Sequence, residues 1–171
     1  MAEYMWAKIK IGGNISLPIL SDLVEKFGIA APSLEEAASA SYLEIESMEA
    51  RWGQFEEMED FLEEQSVAFD RLSDGRYEYS PELRRFRPPV ISSDGSLAQT
   101  PRDSTFLCDH DNRPMILLQD IHKALTETKT REELAARLTD LCGLEIPTLL
   151  PLTIVSAAYE SNDPRLTETL L

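Results

Sequence analysis

The residues of this 171-residue chain that could do chemistry are mostly carboxylates, and they are bunched. Glu35, Glu36, Glu44, Glu46, Glu49, Glu56, Glu57, Glu59, Asp60, Glu63 and Glu64 share thirty residues with the lone cation Arg51, so that stretch holds ten of the fifteen net negative charges. A field of this sign repels nucleic acid and anionic lipid and steers basic partners toward it. A second group, Asp109, His110 and Asp111 with Asp120 and His122 further on, has the ligand types for a divalent metal of nuclease or phosphatase kind. The stretch up to Pro114 also has strong turn chemistry, and its spacing fits no specific metal signature. Cys108 with His110, or Cys142 with either histidine, has the types for a nucleophile and base. A carboxylate neighbour raises a thiol pKa instead of activating it, so these cysteines read as structural. Gly12-Gly13 stands where an anion cradle would, between a strand and a helix, but two glycines read better as a turn.

The basic residues concentrate once, in Arg71, Arg76, Arg84, Arg85 and Arg87, interleaved with Tyr77, Tyr79 and Phe86. That composition suits phosphate and base stacking. Asp70, Asp74, Glu78 and Glu82 nearly balance it, so cross-strand salt bridges explain it without a ligand. A third use is self-association, with this face meeting the acidic helix of a second copy.

Thirty-one acids against sixteen bases argue against a general nucleic-acid binder, which needs clustered Lys and Arg. Two widely separated cysteines give no disulfide framework and suit a reducing cytoplasm. No segment approaches the apolar length of a membrane span, and the N-terminus has no signal-like run, so a cytoplasmic protein is expected.

The elements that must position these groups follow from periodicity. Tyr4 to Ile11 alternates as a half-buried strand, with Met5, Ala7, Ile9 and Ile11 inward. Ser16 caps a helix with Pro18 in its first turn, Leu20, Leu23, Val24 and Phe27 on one stripe, and Gly28 at its end. Ser33 and Glu36 have capping-box spacing for a short helical turn. The strand Tyr42 to Trp52 changes phase, which a bulge near Ser47 would absorb while keeping Met48, Ala50 and Trp52 on the core side. The spacing then predicts an amphipathic helix over Gly53 to Gln65, with Phe55, Met58, Phe61 and Leu62 inward and Glu56, Glu57, Glu59, Asp60, Glu63 and Glu64 outward. A meander of Val67 to Leu72, Arg76 to Tyr79 and Leu83 to Arg87 follows. Later come a strand at Thr105 to Asp109, a helix carrying Ile121 and Leu125, a helix opened by the Thr130 and Glu133 capping box and ended by Gly143, and a strand at Leu152 to Ala157.

The expected architecture is α+β, a two-layer sandwich. Its N-terminal β-α-β-α-β-β half covers 1–90, a linker or long loop covers the Pro- and Ser-rich 91–104, and a smaller α/β half covers 105–171, either as a separate subdomain or sharing one core with the first. The expected function is non-enzymatic binding of a basic protein surface through Glu44, Glu46, Glu49, Glu56, Glu57, Glu59, Asp60, Glu63 and Glu64 as one continuous anionic face, with no cofactor, no metal, no direct nucleic acid and no membrane. Plain solvation of a charged helix face is the competing explanation. A metal-dependent hydrolase on Asp109, His110, Asp111 and Asp120 is one alternative, and a homo-oligomeric module using Tyr4, Trp6 and Trp52 is another. In size and charge the chain resembles the small acidic accessory proteins with which phages and plasmids block nucleic-acid-handling defence enzymes. That resemblance implies an inhibitor that imitates DNA, of anti-CRISPR or antirestriction kind.

Overall fold

The alternation of the first strand sets the architecture, because its inward residues Met5, Ala7, Ile9 and Ile11 are all buried in the computed structural model, which describes residues 3–29, 42–75, 80–92 and 94–155. This strand, β1 (Tyr4–Gly12), is followed by β2 (Asn14–Ser16), α1 (Leu17–Phe27), β3 (Leu43–Arg51), α2 (Glu56–Glu64), β4 (Ala68–Ser73) and β5 (Glu82–Arg87). Then come β6 (Val90–Ile91), β7 (Leu97–Gln99), β8 (Arg102–Leu107), α3 (Leu118–Glu127), α4 (Arg131–Leu141) and β9 (Thr153–Val155). Five strands form one antiparallel sheet in the order β3-β1-β4-β5-β8. The fold is α+β, with helices layered on the sheet.

Register sorts the side chains by face, since residues directly opposite one another across a ladder point the same way. One row runs Ile45, Ile9, Arg71, Arg84, Thr105, and the next row on the opposite face runs Glu46, Lys8, Leu72, Leu83, Phe106. On the first face Ile9, Ile11, Phe69 and Phe86 pack with Leu20 and Leu23 of α1 and Met58 and Leu62 of α2. Phe69 stacks on Phe86 with centroids 5.5 Å apart, and Phe27 meets Phe61 edge-on at 5.9 Å, joining the two helices. Each such aromatic pair contributes about 1 kcal/mol beyond its burial.

The caps stand where the sequence puts them. Ser16 is the N-cap residue of α1, although its side chain makes no cap hydrogen bond, and Gly28 ends that helix at φ 63°. The Thr130 and Glu133 capping box opens α4 with both of its reciprocal bonds. The phase change in β3 is a bulge: Met5 opposes Ala50 and Ala7 opposes Ser47, so Trp6 faces both Met48 and Glu49. Ala50 returns to the core, but Met48 is 75% exposed, because the bulge that restores the phase turns the extra residue outward. The helical turn expected from Ser33 and the strand expected over Arg76 to Tyr79 lie outside the described residues, as do the last two residues of the strand expected at Leu152 to Ala157.

The stretch 91–104 holds the end of β6, β7 and the first residues of β8, the fifth strand of the main sheet. From the far end of the chain, β9 pairs in parallel with β2, and Leu152 joins the core cluster. Gly12 makes this return possible, since a Cβ there would sit 2.3 Å from the Leu150 carbonyl oxygen. The Gly13 N–H donates to that same carbonyl at 2.9 Å, so the glycine pair is a turn whose donor is already used. No helix among the described residues is long and apolar enough to cross a membrane.

Candidate functional site

Helix α2 starts where the chain leaves the β3 turn, and its first turn holds Glu56, Glu57 and Glu59. Acids there complement the positive end of the helix dipole. Glu59 does more, because its Oε1 accepts from the Phe55 N–H at 2.9 Å and so satisfies one orphan donor of the helix start. It is also 2% exposed, although the periodicity places it on the outward arc. The reason is Arg71, itself 2% exposed, which alternation on β4 points inward beside Phe69.

Arg71 Nε lies 3.2 Å from Glu59 Oε1, and its Nη1 donates to the Gly53 carbonyl at 2.9 Å and to Ser73 Oγ at 3.3 Å. Gly53 must be glycine here: it sits at φ 69°, and a Cβ would fall 2.6 Å from that of Ser73. Arg84, opposite Arg71 on β5, donates to Glu59 Oε2 at 2.7 Å, to Glu63, and through Nε and Nη2 to Asp103 on β8 at 3.0 and 2.8 Å. The two bonds to Asp103 and then the one to Glu59 push the Arg84 pKa up against the effect of burial, so it stays charged at every pH the protein meets. The arginines therefore meet the acidic helix of their own chain.

Two of the strand carboxylates, Glu44 and Glu46, are neutralised elsewhere. Glu44 faces both Lys8 and Lys10, the latter at 2.9 Å, and Glu46 lies 3.2 Å from Lys8. The lysine hydrogen bonds, that of Lys8 first, hold the Glu44 carboxyl below its usual range, and Glu44 in turn raises Lys8. These groups stand on the face opposite Ile9 and Arg71, whereas α2 covers the Ile9 face. The single continuous face expected of the nine acids is thus divided by the thickness of the sheet. The sequence does not show this, because periodicity fixes phase within an element and not which side of the sheet the next helix covers.

Five of the nine acids, Glu49, Glu56, Glu57, Asp60 and Glu64, are exposed and have no ion pair among the described residues. Four of them belong to α2. Glu56 and Asp60 border a polar cleft of about 490 Å³ whose far wall carries Glu82, Arg84 and Asp103. The pairing of Arg71 and Arg84 with Glu59, Glu63 and Asp103 is what charge counting misses. An arginine in phase with a buried Phe69 is the signal that reveals it, since a guanidinium at a core position requires a carboxylate.

The other candidates are taken up by local structure. Asp109 Oδ1 accepts from the N–H groups of Asp111 and Arg113, both at 2.9 Å, in the turn that closes the Cys108–Pro114 bridge. Those bonds, that of Arg113 first, hold its pKa below the ordinary aspartate range. Among the described residues no three His, Cys, Asp or Glu side chains converge where a metal could sit. Cys108 is buried and Cys142 half-buried, and burial first and Asp109 second push the Cys108 thiol pKa up. Comparison with protein-family models, with curated proteins and with solved structures finds no match for the chain.

Proposed function

We propose that this is a non-enzymatic binding protein that docks the exposed side of α2 on the basic nucleic-acid-binding surface of a partner and occupies it in place of phosphate. The observation that carries the reading is the charge left over once the fold has used what it needs. Glu59 and Glu63 are bonded to arginines, while Glu56, Glu57, Asp60 and Glu64 stay exposed and without an ion pair among the described residues. Glu64 is placed against helix stability, because the last turn of α2 has no basic residue and the dipole disfavours an acid there.

At 1.5 Å per residue the four span about 12 Å, or roughly one charge per 3 to 4 Å. A single DNA strand presents one per about 3.4 Å along its axis, so the row approximates the charge density that a phosphate-binding groove accepts. Such a protein fits the anti-defence role that its size and acidity suggest. A homodimer is compatible with this use.

The test is competition. Purified nucleic-acid-handling defence enzymes are titrated with the protein in the presence of labelled duplex DNA, between about 50 and about 200 mM salt. A partner is expected from which the protein displaces DNA, with affinity that weakens as salt rises. The triple variant Glu56→Lys, Asp60→Lys, Glu64→Lys should lose binding with an unchanged unfolding midpoint. Equal binding by that variant, or indifference to salt, would sink the reading. Glu63 is left out because its bond to Arg84 makes its reversal a test of folding.

A further inference from the structure

Arg84 of β5 ties α2 to the sheet by charge. Its guanidinium donates to Glu59 Oε2 at 2.7 Å and to Glu63, one turn apart on the helix, and to Asp103 on β8 at 3.0 and 2.8 Å. The Arg84 Cζ stands 5.5 Å from the centroid of the Phe69 ring, so the group is also seated on the core.

These bonds add direction to the packing of α2. Met58 and Leu62 press the helix onto the sheet, but apolar contact is non-directional and resists separation more than small slides and turns. A planar guanidinium bonded to two carboxylates one turn apart fixes both the height and the rotation of the helix. Asp60 directly follows Glu59, and Glu64 directly follows Glu63, so holding the inner pair sets where the outer acids stand. Glu56, Asp60 and Glu64 then form a row that repeats at about 6 Å.

We infer, resting on the binding reading of α2, that Arg84 is a positioning residue for this row: it acts through Glu59 and Glu63 and not by contact with the partner. Field strength alone predicts the opposite effect of its loss. Arg84 is a cation beside the row, and its removal makes the chain one charge more acidic and frees Glu63 and Asp103, which on charge alone tightens binding to a basic surface.

Two peptides with the same number of arginines are the probes, titrated calorimetrically at about 50 mM salt against the wild type and Arg84→Met. One is an alanine-based helix with arginine at every fourth position, whose cations repeat at about 6 Å as the row does. The other spaces the arginines with Gly and Ser and adapts to any arrangement of acids. The wild type is expected to prefer the helical peptide. Arg84→Met should bind that peptide about tenfold more weakly, and the flexible peptide as well as before or better. Arg84→Lys keeps the charge but replaces the fork with a point donor, so it should fall between, and it is read by the same criteria where Arg84→Met does not fold. Unfolding midpoints are measured for each variant, and the titrations run where all are folded. Helical-peptide binding by the folded variant as tight as the wild type or tighter overturns the inference, as does equal weakening toward both peptides or a wild type without preference. The probes are not natural partners, so failure to find an enzyme that the protein displaces from DNA refutes the binding reading separately.

Discussion

Replacing Glu59 by alanine should destabilise the protein far more than replacing any other acid of α2. The side chain is 3% exposed and has three partners: the Phe55 N–H, Arg71 and Arg84. Its removal leaves Arg71 almost fully buried with two neutral acceptors and one longer contact, to Glu82 at 3.6 Å. Stripping one partner from a buried ion pair costs about 3 to 5 kcal/mol, and the remaining contacts of Arg71 place this case near about 3. Loss of the acceptor at the helix start adds about 1 kcal/mol, for roughly 4 in total.

Equilibrium urea unfolding, followed by the fluorescence of Trp6 and Trp52 and fitted with a common slope, reads this directly. Glu56→Ala, at an exposed position of the same helix, is the control and should change stability by less than about 0.5 kcal/mol. The double variant Glu59→Leu, Arg71→Met removes both charges together and should regain most of the loss, to within about 1 kcal/mol of wild type. With Glu59→Leu and Arg71→Met also measured singly, the coupling between the two sites should then be about 3 kcal/mol or more. If Glu59→Ala matched Glu56→Ala, or the coupling were near zero, the division of the acids into structural and surplus sets would be refuted.

Two further outcomes follow from the same geometry. Glu44 is held below the ordinary glutamate value of 4.5 by its lysine partners, so the stability it contributes is present above that value and lost as pH falls through the lower folded one. Carboxyl ¹³C titration should show its midpoint below 4.5, with Lys8→Met moving it upward, and an unmoved midpoint would remove the Lys8 bond as the cause. Burial raises the Cys108 thiol, so a thiol reagent should modify it only at the rate of unfolding while half-buried Cys142 reacts first. Equal labelling of both in the native protein would contradict the packing described.

Local rules carried much of the element pattern. The alternation of β1, the stop at Gly28, the amphipathic core of α2 and the capping box of α4 each depend on residues within a turn or two of one another, and each is found near its expected place. Strands of two or three residues were not legible in 88–104. A segment such as β7 is defined by the strand it pairs with, and its Pro- and Ser-rich surroundings read as loop.

The sequence by itself determined how much charge there is, on which elements it lies, and that Met58 and Leu62 had to turn inward. Tertiary structure alone decided which charges are spent. Glu59 and Glu63 find Arg84 more than twenty positions away, and Glu44 and Glu46 find lysines on a strand more than thirty positions earlier. Charges interact through space over a few ångströms, whereas periodicity reports only along the chain. The same pairing left the outer row of α2 without an ion pair among the described residues, and which of its acids remain was visible only after the strands were in register.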